Sequence, residues 1–291
     1  MLYLGNQLDQ AYKQVTRLVK EMAQEPQPIP RLISRRMRAT TLLAMGRPAE
    51  ALEDLETAYA LYQSAQISDF SAKFAQDPGV QIWSYMLLAK WLCGDQKGAQ
   101  DIGDRAITRA RELKHANTMC YAGLHDVTMS IWAGNIERAR SVNNEMRQVA
   151  NDHDMALWKL FVGIHDAVID CMADEAGAPT RLDAALVEYS ANGCRLWITL
   201  YLAEKAKALL RAGDTEGAEA TIRRAFVEQE ATGEHWAEAE LNRISGEICL
   251  FRGDAVAAEQ AFETAISVAR FQKALSLEER AMQSRDQRQT S

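Results

Sequence analysis

Side chains that could do chemistry are thinly spread along this chain. The histidines (His115, His125, His153, His165, His235) and cysteines (Cys93, Cys120, Cys171, Cys194, Cys249) are scattered, with no CxxC pair. His115 and Cys120 stand five apart, an awkward offset for one helical face, so no metal site is expected. There is no GxxxxGK[ST] phosphate loop, GxSxG elbow, HExxH or glycine-rich dinucleotide turn. No pair of titratable groups suggests an acid and its base. Neither a catalytic residue nor a bound cofactor is expected.

One register does stand out, and it is aromatic. Trp158, Trp197 and Trp236 are spaced by 39 and 39. Seven residues on, two helical turns along the same face, come His165, Glu204 and Arg243; four residues on come Val162, Tyr201 and Glu240. Two readings stay open. Trp158, Trp197, Tyr201, Trp236, His165, Glu204, Glu240 and Arg243 could form a ligand- or peptide-binding wall, aromatic platforms beside a polar stripe. Alternatively, the tryptophans pack between neighbouring repeats and the stripe is mutual salt bridging. Tryptophan, large and often only partly buried, suits both.

A repeat is needed to hold such a register. Glycine, a polar turn and then a small residue recur at Gly46, Gly94, Gly134, Gly213 and Gly253, more weakly at Gly5 and Gly177. The period is about 40 residues, the length of a helical hairpin with its connections. A glycine just past a helix end takes the left-handed conformation at little steric cost, and the Asp, Asn or Pro that follows starts the next helix. Around Gly253 the spacing resembles the tetratricopeptide motif, with Gly246, Ala258, Phe262 and Ala265 at its small, small, large and small packing positions. The units at Gly46 (Ala51, Leu55, Ala58) and Gly213 (Ala206, Ala218, Ile222, Ala225) match well.

Apolar spacing and these breakers predict helices near 7–24, 31–45, 48–63, 80–93, 96–113, 116–133, 136–151, 155–174, 180–191, 195–212, 215–231, 235–252, 255–271 and 274–286. No stretch alternates like a strand. The expected fold is an all-α, α/α superhelical solenoid of about fourteen helices spanning 1–291 as one domain. Within it, 1–24 would be a lone helix of a truncated hairpin, 31–283 about six hairpins and 284–291 a polar tail. Pro26–Pro30 reads as an extended joint, and the stretch from about 64 to 79 as the longest loop, functional or an ordered cap.

Composition narrows the partners. The 291 residues carry a net charge of −7 and 47% apolar side chains. That field opposes nucleic-acid binding; the basic run Arg31–Arg38 reads as a solvated helix face. No apolar stretch is long enough for a membrane span and no signal peptide precedes the first helix. Scattered cysteines in apolar helices fit reduced thiols and a cytoplasmic location.

Longer stretches resemble one particular tetratricopeptide region. They are Ala75-Gln76-Asp77-Pro78-Gly79-Val80 with Ser84-Tyr85 and Leu92-Cys93-Gly94; Gly233-Glu234-His235-Trp236 leading to Ala239–Glu247; and Ala269-Arg270 with Ser276–Ala281. The region is the C-terminal part of bacterial multidomain signalling regulators. There a class III nucleotidyl cyclase, kinase or DNA-binding domain precedes a P-loop ATPase and then the repeats. Leu61–Ile67 departs from the family's pattern and loses an Asp-Pro and a histidine. The resemblance implies a non-catalytic regulatory module that binds a protein, a peptide or a small effector in a groove lined by first helices. The alternative is a structural scaffold or oligomerisation unit without a ligand. The chain begins inside a hairpin, so a fragment or a reduced gene is expected, and an uncapped end would let two copies pair.

Overall fold

The structure is a computed structural model that describes residues 7–65 and 75–287. Among the described residues every regular element is a helix. In chain order these are α1 (Leu8–Met22), α2 (Pro28–Ala44), α3 (Pro48–Ser64), α4 (Pro78–Leu92), α5 (Gln96–Leu113), α6 (Ala116–Ala133) and α7 (Ile136–Asp152). They continue as α8 (Ala156–Met172), α9 (Ala178–Ala191), α10 (Ile198–Arg211), α11 (Thr215–Thr232), α12 (Glu238–Phe251), α13 (Ala255–Gln272) and α14 (Leu275–Gln287). The fold is an all-α solenoid of helical hairpins.

The local code of the repeat works as its chemistry requires. The turn glycines from Gly46 to Gly253 have positive φ, between 72° and 92°. Asp95, Asn135, Asp214 and Asp254 then cap α5, α7, α11 and α13, each accepting a hydrogen bond from the amide three residues on. Five residues past each of five glycines, Ala51, Ala99, Ala139, Ala218 and Ala258 are fully buried. There a larger side chain would push the hairpin apart. Gly5 lies outside the described residues.

Even-numbered helices form an inner layer, each packed on the next from α2 to α14, and odd-numbered helices form the outer layer. The contrast is plainest between inner α4, which buries all but two of its fifteen residues, and outer α7, which buries one stripe. The inner layer then curls back on itself. α14 packs against α4; Ser276 Oγ donates to the Trp91 carbonyl (2.5 Å) and Arg280 to the Trp132 carbonyl (2.6 Å). At the same seam the His235 and Trp236 amides donate to the Ala44 carbonyl at 2.9 and 3.2 Å. That is the last carbonyl of α2, otherwise without a partner inside its own helix.

Several expectations are corrected. Pro28 and Pro30 sit in the first turn of α2, where a missing N–H costs nothing, so PQPIP is a helix start and not an extended joint. α10 and α12 begin about three residues late, after turns in which Trp197 is left-handed (φ 63°). Residues 284–287 continue α14, and Ser284 accepts from Arg243, so they are no polar tail. The Arg31–Arg38 run is not a solvated face: Arg35 and Arg38 clamp the buried Asp54 carboxylate at 2.8 and 2.6 Å, and Arg36 turns inward. Most of the loop expected at 64–79 lies outside the described residues.

Candidate binding site

Rings from five inner segments meet along the inside of the superhelix. Trp91 and Trp132 have centroids 5.5 Å apart; Trp132 and Trp236, 5.4 Å; Trp236 and Trp197, 6.2 Å. The row runs on from Trp197 to His125 (5.4 Å), which lies against Tyr85 (4.5 Å) and Tyr121 (4.6 Å). Trp158 joins through Tyr121 and Phe161, and its indole N–H donates to Asn117 Oδ1 at 2.7 Å.

The eight residues of the 39-residue register are thus brought together, but as packing more than as an open wall. All are 0–6% exposed. Burial at the closed seam is the reason, and no helical period reveals that closure. Tyr201 and His165 meet at 3.3 Å behind the ring row. Glu240 and Arg243 form a salt bridge, and Glu204 joins them only through Lys207. Lys207 pairs with Glu204 (2.7 Å) and reaches Glu240 (3.7 Å); Arg243 Nε donates to Glu240 (2.8 Å); Arg280 adds a contact at 3.4 Å, and Glu247 completes the set on Arg243. Burial alone would raise the Glu240 carboxyl, but Arg243, Arg280 and Lys207 outweigh it and hold it below the usual range.

Trp158 and Trp197 differ from the other six, because they also line a pocket of about 340 Å³. It lies between α2, α4, α6, α8 and the turn before α10, with Tyr85, Tyr121, Leu157 and Phe161 contributing most of its apolar wall. Ligand pockets are concave, mostly apolar and carry a few placed polar groups, and this one fits the description. Among the described residues no carboxylate lines it. Thr40 and Thr41 spend their hydroxyls on the Met37 carbonyl.

Two polar groups of the lining each keep one nitrogen without a partner among the described residues. His125 is 1% exposed, and its Nδ1 lies 2.8 Å from the Tyr121 carbonyl of its own helix. A carbonyl only accepts, so Nδ1 carries the proton and Nε2 is an acceptor on the opposite side of the ring, away from the α6 backbone. Nε2 has no partner among the described residues. Burial, aided by the charge of Arg36, pushes this imidazole down to about 4 and keeps it neutral. Arg36 is the second group. Among the described residues it makes no ion pair; its Nε is buried without a partner, and the guanidinium lies beside the Tyr121 hydroxyl.

These pocket residues were legible in part. Tyr121, Phe161 and Tyr201 repeat every 40 residues, as do His125 and His165, a second register beside that of the tryptophans. Arg36 gave no signal, since nothing local shows that α2 reaches α6. The stretches quoted for the resemblance have structural work. Asp77 caps α4 and its amide donates to Thr118 Oγ1 (3.1 Å). A side chain at Gly79 would strike the Tyr62 ring, 2.6 Å from its Cβ position. Glu234 accepts from the Trp197 amide (2.7 Å), capping α10 from another hairpin, and burial raises its carboxyl to about 7.

Among the described residues no cluster of ligating side chains could hold a metal, and no helix is long and apolar enough to cross a membrane. Burial pushes the Cys120 and Cys171 thiols up to about 12, away from nucleophilic use.

Comparison with known proteins agrees with the hairpins. A family model of the tetratricopeptide repeat matches residues 33–57 and 200–224, which fall in the α2–α3 and α10–α11 hairpins. The comparison with curated proteins finds no match. Among solved structures, a tetratricopeptide repeat protein from Parabacteroides merdae ATCC 43184 is 16% identical, with a TM-score of 0.47 over 94% of this chain and 99% of that one.

Proposed function

We propose that this chain is a non-catalytic, ligand-sensing interaction module whose ligand enters the aromatic pocket between α2, α4, α6 and α8. Tetratricopeptide repeats generally mediate protein–protein interaction, and the outer helices offer ample surface for that. The observation that carries the sensing role is the pocket's lining. A folded chain gains by pairing buried polar atoms, yet the His125 acceptor and the Arg36 donor are both left open beside apolar rings. The pocket also touches α2, α4, α6 and α8 at once, so a ligand there would stiffen four hairpins together. The stretches that resemble bacterial signalling regulators support a regulatory role, cytoplasmic like theirs.

A thermal-shift screen of the intact chain tests this reading. Met37 and Leu157 stand at the pocket rim, 37% and 51% exposed, so filling them out spares the core. A ligand should raise the melting temperature of the natural chain and leave Met37→Trp and Leu157→Trp unmoved. Equal shifts in all three proteins would place binding elsewhere and reject the pocket.

A further inference from the structure

We infer that the pocket takes a small aromatic carboxylic acid that also carries a hydrogen-bond-donating hydroxyl or N–H, its carboxylate on Arg36 and its donor on His125 Nε2. This inference rests on the sensing reading above and gives it a ligand class.

Each part of the ligand answers one feature of the lining. The walls are rings: Tyr85, Tyr121, Trp158, Phe161 and Trp197. Ring faces and edges favour a flat, apolar body, which stacks or meets them edge to face. The volume, near the lower end for ligand pockets, suits one ring or two fused rings. His125 Nε2 can only accept, because its partner nitrogen holds the proton against the Tyr121 carbonyl. The ligand must therefore donate there. Arg36 brings a full positive charge, and among the described residues no carboxylate on the lining balances it. Its open Nε belongs to an edge of the guanidinium that can grip a carboxylate by two parallel bonds. Cations are repelled by this arrangement. Sugars would bury many hydroxyls against rings that cannot bond them.

Isothermal titration calorimetry on the intact chain tests the class with 4-hydroxyphenylacetate as the probe. Its methyl ester removes the charge, and 4-methoxyphenylacetate removes the donor. The acid should bind, and each change should weaken binding about tenfold or more, as expected for losing a charged or buried hydrogen bond. Arg36→Gln should erase the preference for acid over ester. His125→Phe, which keeps a ring in place, should erase the preference for hydroxyl over methoxy. Circular dichroism and melting temperature confirm that both variants fold. An ester as tight as the acid, or a preference that survives Arg36→Gln, overturns the proposal. Should only the neutral probes bind, and lose binding in Met37→Trp, the acid class falls while the pocket reading stands. Absence of any binding, with a blank thermal-shift screen, sinks both.

Discussion

The inner layer solves one problem in two ways. In its C-terminal half, across α10, α12 and α14, the polar positions form an ionic network in which each charge finds its opposite: Lys207 with Glu204 and Glu240, Arg243 with Glu240 and Glu247, Arg280 with Glu240. In its N-terminal half, across α2, α4, α6 and α8, the comparable interior holds rings, an open imidazole nitrogen and a guanidinium with no ion-pair partner among the described residues. A saturated interior seals the seam where the superhelix closes. An unsaturated one is what the proposed binding role requires. Sharing a repeat and an inner position therefore does not mean sharing a role.

The sharpest way to break this contrast is to unbalance the saturated half. Arg243→Ala leaves Glu240 and Glu247 short of a cation, and Glu240 is buried. It should cost about 3–5 kcal/mol in urea unfolding, the usual penalty for breaking a buried pair. The double change Glu240→Gln with Arg243→Met should cost less than the sum of its singles, because the two sites share one interaction.

Next comes Glu234, which caps α10 from the turn before α12. Its folded carboxyl titrates near 7 and an ordinary one near 4.5, so the folded chain keeps a proton that the unfolded chain releases. Stability from this group is present below pH 4.5 and is lost as pH rises towards 7. The loss is on the order of 2–3 kcal/mol. Glu234→Gln should flatten that slope in denaturation curves taken from pH 4.5 to 8; an unchanged slope would exclude Glu234 as its source.

His125 has the opposite sign. Its folded imidazole titrates near 4 against 6.5 for an ordinary one, so stability is present above pH 6.5 and is lost as pH falls towards 4. His125→Phe should gain about 2 kcal/mol at pH 5 relative to its own difference from the natural chain at pH 7.5. His165, pushed down to about 3 by burial and by His125, acts in the same direction and would keep part of the acid slope. The smallest effect belongs to the shared repeat. Asp214→Ala removes the cap on Gly217 N–H and should cost about 1 kcal/mol in thermal unfolding, with ligand binding untouched.

Residue by residue, the helix ends were the most legible feature, because their causes are local. Asp95, Asn135, Asp214 and Asp254 announce helix starts, and the glycines before them announce the stops. One exception has a distant origin. α10 starts at Ile198 because Glu234, 36 residues later, caps it, and no pattern around Gly193 could show that. The candidate site was half legible. The 39-residue register picked Trp158 and Trp197 correctly as inward rings, while the second register, through Tyr121, Phe161 and His125, held the rest of the wall.

What the sequence determined by itself was the hairpin and its period, since glycine turns, caps and small packing residues act within a few residues of one another. Which inner residues became seal and which became pocket was decided only in the tertiary structure. That choice depends on α14 returning to α4 and on α2 meeting the Trp236 turn, contacts between segments 185 residues and more apart in the chain. Burial, ion pairing and the loss of water at those seams set the charge state of each inner group. None of these is a property of a short stretch of chain.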